Sequence, residues 1–200
     1  MSALDFGRLG VAAGALGVHQ ACLDASVAFV RERRQFKQRI GDFEMVQSSI
    51  AQMTASLEAS RLLVRRAAWL KDQGAPTKLE TSLAKYYATE AACKAAGDAV
   101  LLHGGRGYSN EYPVERYYRD IKGLQIYEGT AHIQQIVIAR ESQKPIVLGK
   151  RGARLKAIGE AARLELAEIL GQKVHLFLHV KVDERWAESK EIYEEIGLEW

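Results

Sequence analysis

The stretch Thr77-Lys78-Leu79-Glu80, continuing through Leu83, Tyr87, Ala91, Ala95 and Val100 to His103-Gly104-Gly105, decides the fold. Thr77 with Glu80 three residues later is the capping-box pattern, in which a hydroxyl and a carboxylate each serve a free backbone N–H at a helix start. The apolar and small residues that follow recur at helical spacing. The Gly104-Gly105 pair ends the run. Upstream, Gly74-Ala75-Pro76 stops a preceding helix that Asp42 opens, with Val46, Ile50, Met53, Leu57, Leu62 and Leu63 on its apolar stripe. Before that, Leu4 to about Arg34 is helical, and Ala12, Ala13, Gly14 and Gly17 permit close packing. Three long helices with short connections predict an antiparallel bundle.

Downstream, the glycine-rich loop 104–113 leads to a shorter helix, Val114 to Lys122. A break at Tyr127-Glu128-Gly129 follows, and Thr130 caps a further helix through Ile133, Ile136 and Val137 to about Arg140. The fold class is therefore mainly α, a four-helix-type antiparallel bundle over residues 1–141. The pattern then changes. Gln143 to Leu148 is short and apolar, Gly149-Lys150-Arg151-Gly152 forms a loop, and Ala153 to Leu170 reads as an amphipathic helix. Lys173 to Val182 alternates, with Val174, Leu176, Leu178, Val180 and Val182 on one face, which predicts a strand. Asp183 caps a final acidic helix. Residues 142–200 are thus expected to form a small α+β segment.

Composition suits a globular protein: 48% hydrophobic and 26% charged over 200 residues. No apolar run reaches the roughly 18 residues of a membrane span, and the start lacks the features of a signal peptide. Cys22 and Cys93 lack metal-ligand spacing and read as buried free thiols, which fits a cytoplasmic location. Charge is unevenly placed. Residues 143–182 carry eight Lys/Arg against three Glu, and residues 183–200 carry two basic against seven acidic groups. Such a basic patch hints at an anionic partner.

Glu128 is a candidate general base, because a carboxylate in a break between helices is free to point into a cavity. The bland alternative is a solvated carboxylate near a helix N-terminus. Three groups of residues weigh against the bland reading: Arg33-Arg34-Gln35-Phe36; Leu102-His103-Gly104-Gly105-Arg106-Gly107-Tyr108 with Glu111-Tyr112-Pro113-Val114-Glu115-Arg116; and Ile126-Tyr127-Glu128-Gly129-Thr130. Through them residues 4–141 resemble the C-terminal helical domain of the acyl-CoA dehydrogenase family. The resemblance implies that Glu128 is the catalytic base. It would remove the α-proton of an acyl-CoA while a hydride passes from the β-carbon to FAD. It further implies that Arg33, Gln35 and Phe36 contact the flavin nucleotide of a neighbouring subunit. Gly104, Gly105 and Thr130 would contact the flavin, and Asp5 and Arg8 would lie near the CoA thioester. Leu101 and His132 depart from the family pattern. The family's N-terminal helical domain and flavin-covering β-domain have no counterpart here, so turnover is not expected. The apolar faces such domains and sister subunits cover predict a dimer or tetramer.

Gly149-Lys150-Arg151-Gly152 read alone is an ordinary turn or an anion clamp, with Arg154 and Lys156 adding positive charge. With Glu141-Ser142-Gln143-Lys144-Pro145-Ile146-Val147-Leu148 before it and Leu170-Gly171-Gln172-Lys173-Val174 after it, residues 141–198 resemble the C-terminal KH domain of Era-type GTPases. The resemblance implies that Gly149, Lys150, Arg151 and Gly152 clamp single-stranded RNA, with Arg154 and Lys156 beside them. The GTPase domain has no counterpart, so GTP binding is not expected. Two partial families meeting near Ala139-Arg140-Glu141 look like an engineered fusion.

Overall fold

The computed structural model describes residues 3–148 and 153–176. The chain forms two compact units, Met1–Glu141 and Ser142–Trp200. The described helices are α1 (Ala3–Glu32), α2 (Glu44–Asp72), α3 (Lys78–His103), α4 (Val114–Ile126), α5 (Ala131–Leu148) and α6 (Ala153–Leu170).

In the first unit α3 is central and packs on α1, α2 and α4. The Phe29 ring of α1 stacks on His103 at the end of α3, so these two helices run in the same direction. Cys93 of α3 meets the Ile121 carbonyl, and Lys85 meets that of Gln125, so α4 runs back along α3. The result is the expected helical bundle. Its close packing comes from small side chains: Ala84, Ala88, Ala92, Ala95, Ala96 and Ala99 are buried on α3, against Ala12, Ala15 and Cys22 of α1 and Met53 and Leu57 of α2. This corrects the expected α3 stripe. Leu83 and Ala91 are only half-buried and Tyr87 is exposed, because the buried phase follows the alanines. Leu62 is likewise exposed on α2.

Several cap assignments change. Asp42 does not cap α2, because Phe43 holds that position and Asp42 pairs with Arg39 at 3.2 Å. Thr77 makes no side-chain cap bond, and Glu80 faces Arg66 at 3.9 Å, so the capping box does not close. The α2 stop behaves as read: Gly74 takes φ +70, and the Gly74 and Ala75 N–H groups return to the Lys71 and Leu70 carbonyls. The helix Val114–Lys122 extends to Ile126.

An element absent from the sequence reading is a two-stranded antiparallel hairpin, β1 (Arg34–Gln35) with β2 (Gln38–Arg39), pairing Arg34 with Arg39 and Gln35 with Gln38. Its two turn residues, Phe36 and Lys37, both have positive φ (48° and 68°), as a tight two-residue hairpin requires.

In the second unit, α6 matches the expected helix Ala153–Leu170. Gln143–Leu148 is not a separate segment: α5 continues to Leu148 through Pro145, which forgoes one helical hydrogen bond. The expected strand from Lys173 is not formed over 173–176, which are irregular, and residues 177–182 lie outside the described residues. The only sheet among the described residues is therefore the β1–β2 hairpin. Phe6–Glu32 of α1 is long and apolar enough to cross a membrane by length and composition, contrary to the sequence reading. In the bundle its apolar side packs into the core through Val11, Ala12, Ala15, Cys22 and Leu23.

Candidate active site

The α4–α5 break holds Glu128 and Gly129, both with positive φ (57° and 90°). A non-glycine residue in that region is uncommon and costs of order 1 kcal/mol or more, so the surroundings must enforce it. Two fully buried side chains do so. Lys85 Nζ donates to the Gln125 carbonyl at 3.0 Å and the Gly129 carbonyl at 2.6 Å. Gln134 Nε2 donates to the Glu128 carbonyl at 3.0 Å and the Gly129 carbonyl at 3.1 Å. A Cβ on residue 129 would lie 2.7 Å from Gln134 Nε2, so glycine is needed there on space as well as φ.

This turn aims the Glu128 side chain at α1. A Cβ on Gly7 would lie 2.4 Å from the Glu128 Cδ and 2.5 Å from each carboxyl oxygen. The carboxyl thus occupies the space that a side chain at position 7 would fill. Its Oε2 is buried and has no hydrogen-bond partner. Arg8 is 8% exposed and follows Gly7. Burial lowers the Lys85 pKa, and Arg8 adds to this, while Glu90, Cys93 and the Glu128 carboxylate pull it back up. Asp5 lies on the first turn of α1, and its side chain lies outside the described residues.

The other expected site residues are elsewhere. Arg33 precedes the hairpin, its N–H bonded to the Phe29 carbonyl at 2.9 Å. Gln35 is exposed, and Phe36 is 86% exposed with its ring edge-on to Phe43. Gly104 and Gly105 follow His103, whose ring stacks on Phe29 with centroids 4.2 Å apart, and both glycines are open to their surroundings. These residues share the end of the bundle where α1 and α3 finish. Glu128 and Thr130 lie at the opposite end, where α1 begins. At 1.5 Å per residue, Gly7 and Arg33 are roughly 39 Å apart along α1, and Lys85 and His103 about 27 Å apart along α3. One copy of the chain does not bring the two groups together. Between Gly97, Leu101, Tyr108, Tyr118, Arg119 and Lys122 lies an open groove of about 820 Å³, which does not include Glu128.

Gly149, Lys150, Arg151 and Gly152 lie outside the described residues, as does the Arg154 side chain. Lys156 is exposed on α6. Among the described residues, no group of three His, Cys, Asp or Glu could hold a metal ion.

Sequence reasoning missed Lys85 and Gln134. The signal was present: Lys85 sits one turn from Thr81 and from Thr89 on the buried stripe of α3, where a cation must have a specific partner.

Residues 1–143 match the family described as acyl-CoA dehydrogenase, C-terminal domain. Residues 112–187 match the KH domain family. The two matches overlap over 112–143 and so set no boundary between the parts. The chain is 47% identical over 141 residues to the probable acyl-CoA dehydrogenase YngJ of Bacillus subtilis, covering 70% of this chain and 37% of that protein. It is 45% identical over 139 residues to the 3-(aryl)acrylate reductase of Clostridium sporogenes, again covering 70% and 37%. Among solved structures, butyryl-CoA dehydrogenase from Megasphaera elsdenii superposes with a TM-score of 0.69 at 40% identity, covering 70% of this chain and 37% of that one. The chain thus spans little more than a third of the length of these relatives. Through the bundle that carries Glu128, the chain belongs to the acyl-CoA dehydrogenase family.

Proposed function

We propose that this chain supplies the base of a flavin-dependent acyl-CoA dehydrogenase site, with Glu128 taking the α-proton of an acyl-CoA thioester. The observation that carries the reading is the Glu128 carboxyl held over Gly7 with one buried oxygen free of any hydrogen bond. A carboxylate with one oxygen left unbonded and partly screened from water is suited to accept a carbon-bound proton. The C–H bond at the α-carbon breaks, its proton goes to the carboxylate, and the electron pair moves into the forming C=C bond. A bound FAD supplies the acceptor for the β-hydride. Gln35, Phe36 and Thr130 are exposed and the Gly104-Gly105 backbone is open, so these residues fit a flavin nucleotide, with Arg33 beside them. Asp5 and Arg8 fall near the start of α1, beside the base, where a thioester would lie.

Because the two groups sit at opposite ends of the bundle, one flavin would take its contacts from two copies. Exposed Phe6, Leu62, Trp69 and Leu101 give such copies apolar surface to cover. The test is the visible spectrum after incubation with FAD and desalting, followed by butyryl-CoA-dependent dye reduction. Retained flavin and turnover abolished by Glu128→Gln are expected. Turnover that survives Glu128→Gln refutes the assignment, and a colourless protein favours a fusion whose bundle is scaffold without turnover.

A second reading rests on the KH match at 112–187: binding of single-stranded RNA through residues 149–156. Titration with a labelled single-stranded RNA should show affinity falling with salt and lost in Lys150→Asp with Arg151→Asp. An unchanged affinity in that double variant refutes it.

A further inference from the structure

We propose that Lys85 and Gln134 are positioning residues for the Glu128 carboxyl, holding the 125–129 turn by its carbonyls in the left-handed form that places the base over Gly7. The inference rests on the reading of Glu128 as the base. Four hydrogen bonds, two from each side chain, close on three acceptors within one turn: the carbonyls of Gln125, Glu128 and Gly129. Gln125 lies in the last turn of α4, where carbonyls lack helical partners and a cation complements the helix dipole. Gly129 precedes α5 and accepts from both side chains. The donors come from different elements, α3 and α5, so the turn is gripped from two sides and its φ values are fixed independently of the Glu128 side chain.

Both donors lie in the buried part of the bundle, and Lys85 donates to two neutral carbonyls. A methionine or leucine in either place would pack there at lower desolvation cost. What an apolar side chain could not do is select the left-handed turn over an ordinary one. With the grip removed, Glu128 is expected to populate a second backbone conformation in which its carboxyl leaves Gly7.

The test is the Cδ resonance of Glu128 in the full chain labelled with ¹³C-glutamate, assigned by its loss in Glu128→Gln. Lys85→Met and Gln134→Met are compared with Met53→Ala, a core variant on α2 that lowers stability without touching the turn. The Glu128 line is expected to shift or split in both turn variants and to stay in place in Met53→Ala. If Lys85→Met does not fold, Gln134→Met, which removes two of the four bonds, decides alone. An unchanged Glu128 line in a folded turn variant overturns the proposal, as does an equal change in Met53→Ala. The readout needs neither flavin nor turnover. Failure of the clamp is thereby separated from failure of Glu128 as the base, which shows only in the dye-reduction assay.

Discussion

Changing Gly7 to alanine tests the placement of the base with the smallest addition possible. The new methyl carbon would begin 2.4 Å from the Glu128 Cδ, whereas ordinary contact starts near 3.4 Å, so the carboxyl must retreat by about 1 Å. The obstructing atoms are the end of a flexible side chain and can move at small cost. Alanine is also the better helix former, by about 0.5–1 kcal/mol within a helix. Folding should therefore hold or improve, with a thermal midpoint raised by a few degrees at most. Catalysis should move the other way, since about 1 Å of misplacement can cost on the order of 10²-fold. A suitable assay is the exchange of the α-protons of butyryl-CoA with D₂O, followed by NMR, together with thermal unfolding. Gly10→Ala is the matched control: it lies on the same helix with nothing within 4 Å of its added carbon. The expected pattern is normal stability in both variants and slow exchange only in Gly7→Ala. Equal exchange rates in the two variants would refute the placement of the carboxyl over residue 7. A marked loss of stability in Gly7→Ala would instead show that the carboxyl sits over residue 7 and cannot yield.

His19 is fully buried, neither ring nitrogen makes a well-formed hydrogen bond, and burial lowers its pKa to about 4, with the Met53 backbone opposing and Arg61 adding to the shift. The folded state resists protonation that the unfolded chain accepts near 6.5, so stability should fall by up to about 3 kcal/mol as pH drops from 6.5 toward 4, and His19→Leu should flatten that slope in denaturant titrations. Leu57→Ala removes a fully buried side chain between α2 and its neighbours and should cost about 2–5 kcal/mol by urea unfolding, whereas Leu62→Ala, exposed on the same helix, should cost under 0.5. Cys22 is buried with its thiol pKa raised to about 12, so it should react with a thiol reagent at pH 8 only after unfolding; rapid labelling of the folded protein would contradict the packing of α1.

The bundle was legible because helical punctuation is local. Gly74-Ala75-Pro76 and Gly104-Gly105 act on their own few residues, and the helices end where those signals stand. What sequence could not show was phase within an alanine-rich helix. Leu83 and Tyr87 look like the core face of α3, yet the bundle closes on the alanines because small residues let α1 and α3 approach. The hairpin was hidden for another reason. Phe36-Lys37 lacks the Asn-Gly signature, and its left-handed turn is set by its surroundings rather than by residue type. Within the site, Glu128 and Gly129 were readable from the break in periodicity. Lys85 signalled only that a cation on a buried stripe needs a partner, since its acceptors lie some 40 residues away in sequence, and Gln134, inside α5, gave no signal for acceptors five residues back.

The polar groups of the core are arranged in a way that stability alone does not explain. Most of the bundle buries alanine, with Met53, Leu57 and Ile121 as the large fillers, and needs no buried charge to close. Yet Lys85, Gln134 and Arg8 are buried in the half of the molecule where α1 and α3 begin, and the Glu128 oxygen is left there without a bond. Burying a cation and a free carboxyl oxygen costs several kcal/mol unless something is gained. Nothing structural is gained by the oxygen, which stabilises no turn and caps no helix. His19 and Ser26 carry a similar cost further along α1, but only at Glu128 does it fall beside a left-handed residue that the rest of the fold holds rigid, which is where the proposed chemistry would set local rules aside. The opposite end is filled by rings: Phe29, His103 and Tyr112 stack or meet edge-on. On the proposed reading the Glu128 end would carry the chemistry, and the ring end would hold the bundle beneath an exposed hairpin and an open glycine pair. A flavin reaching both needs a second copy of the chain, so the oligomer would be a condition of the site.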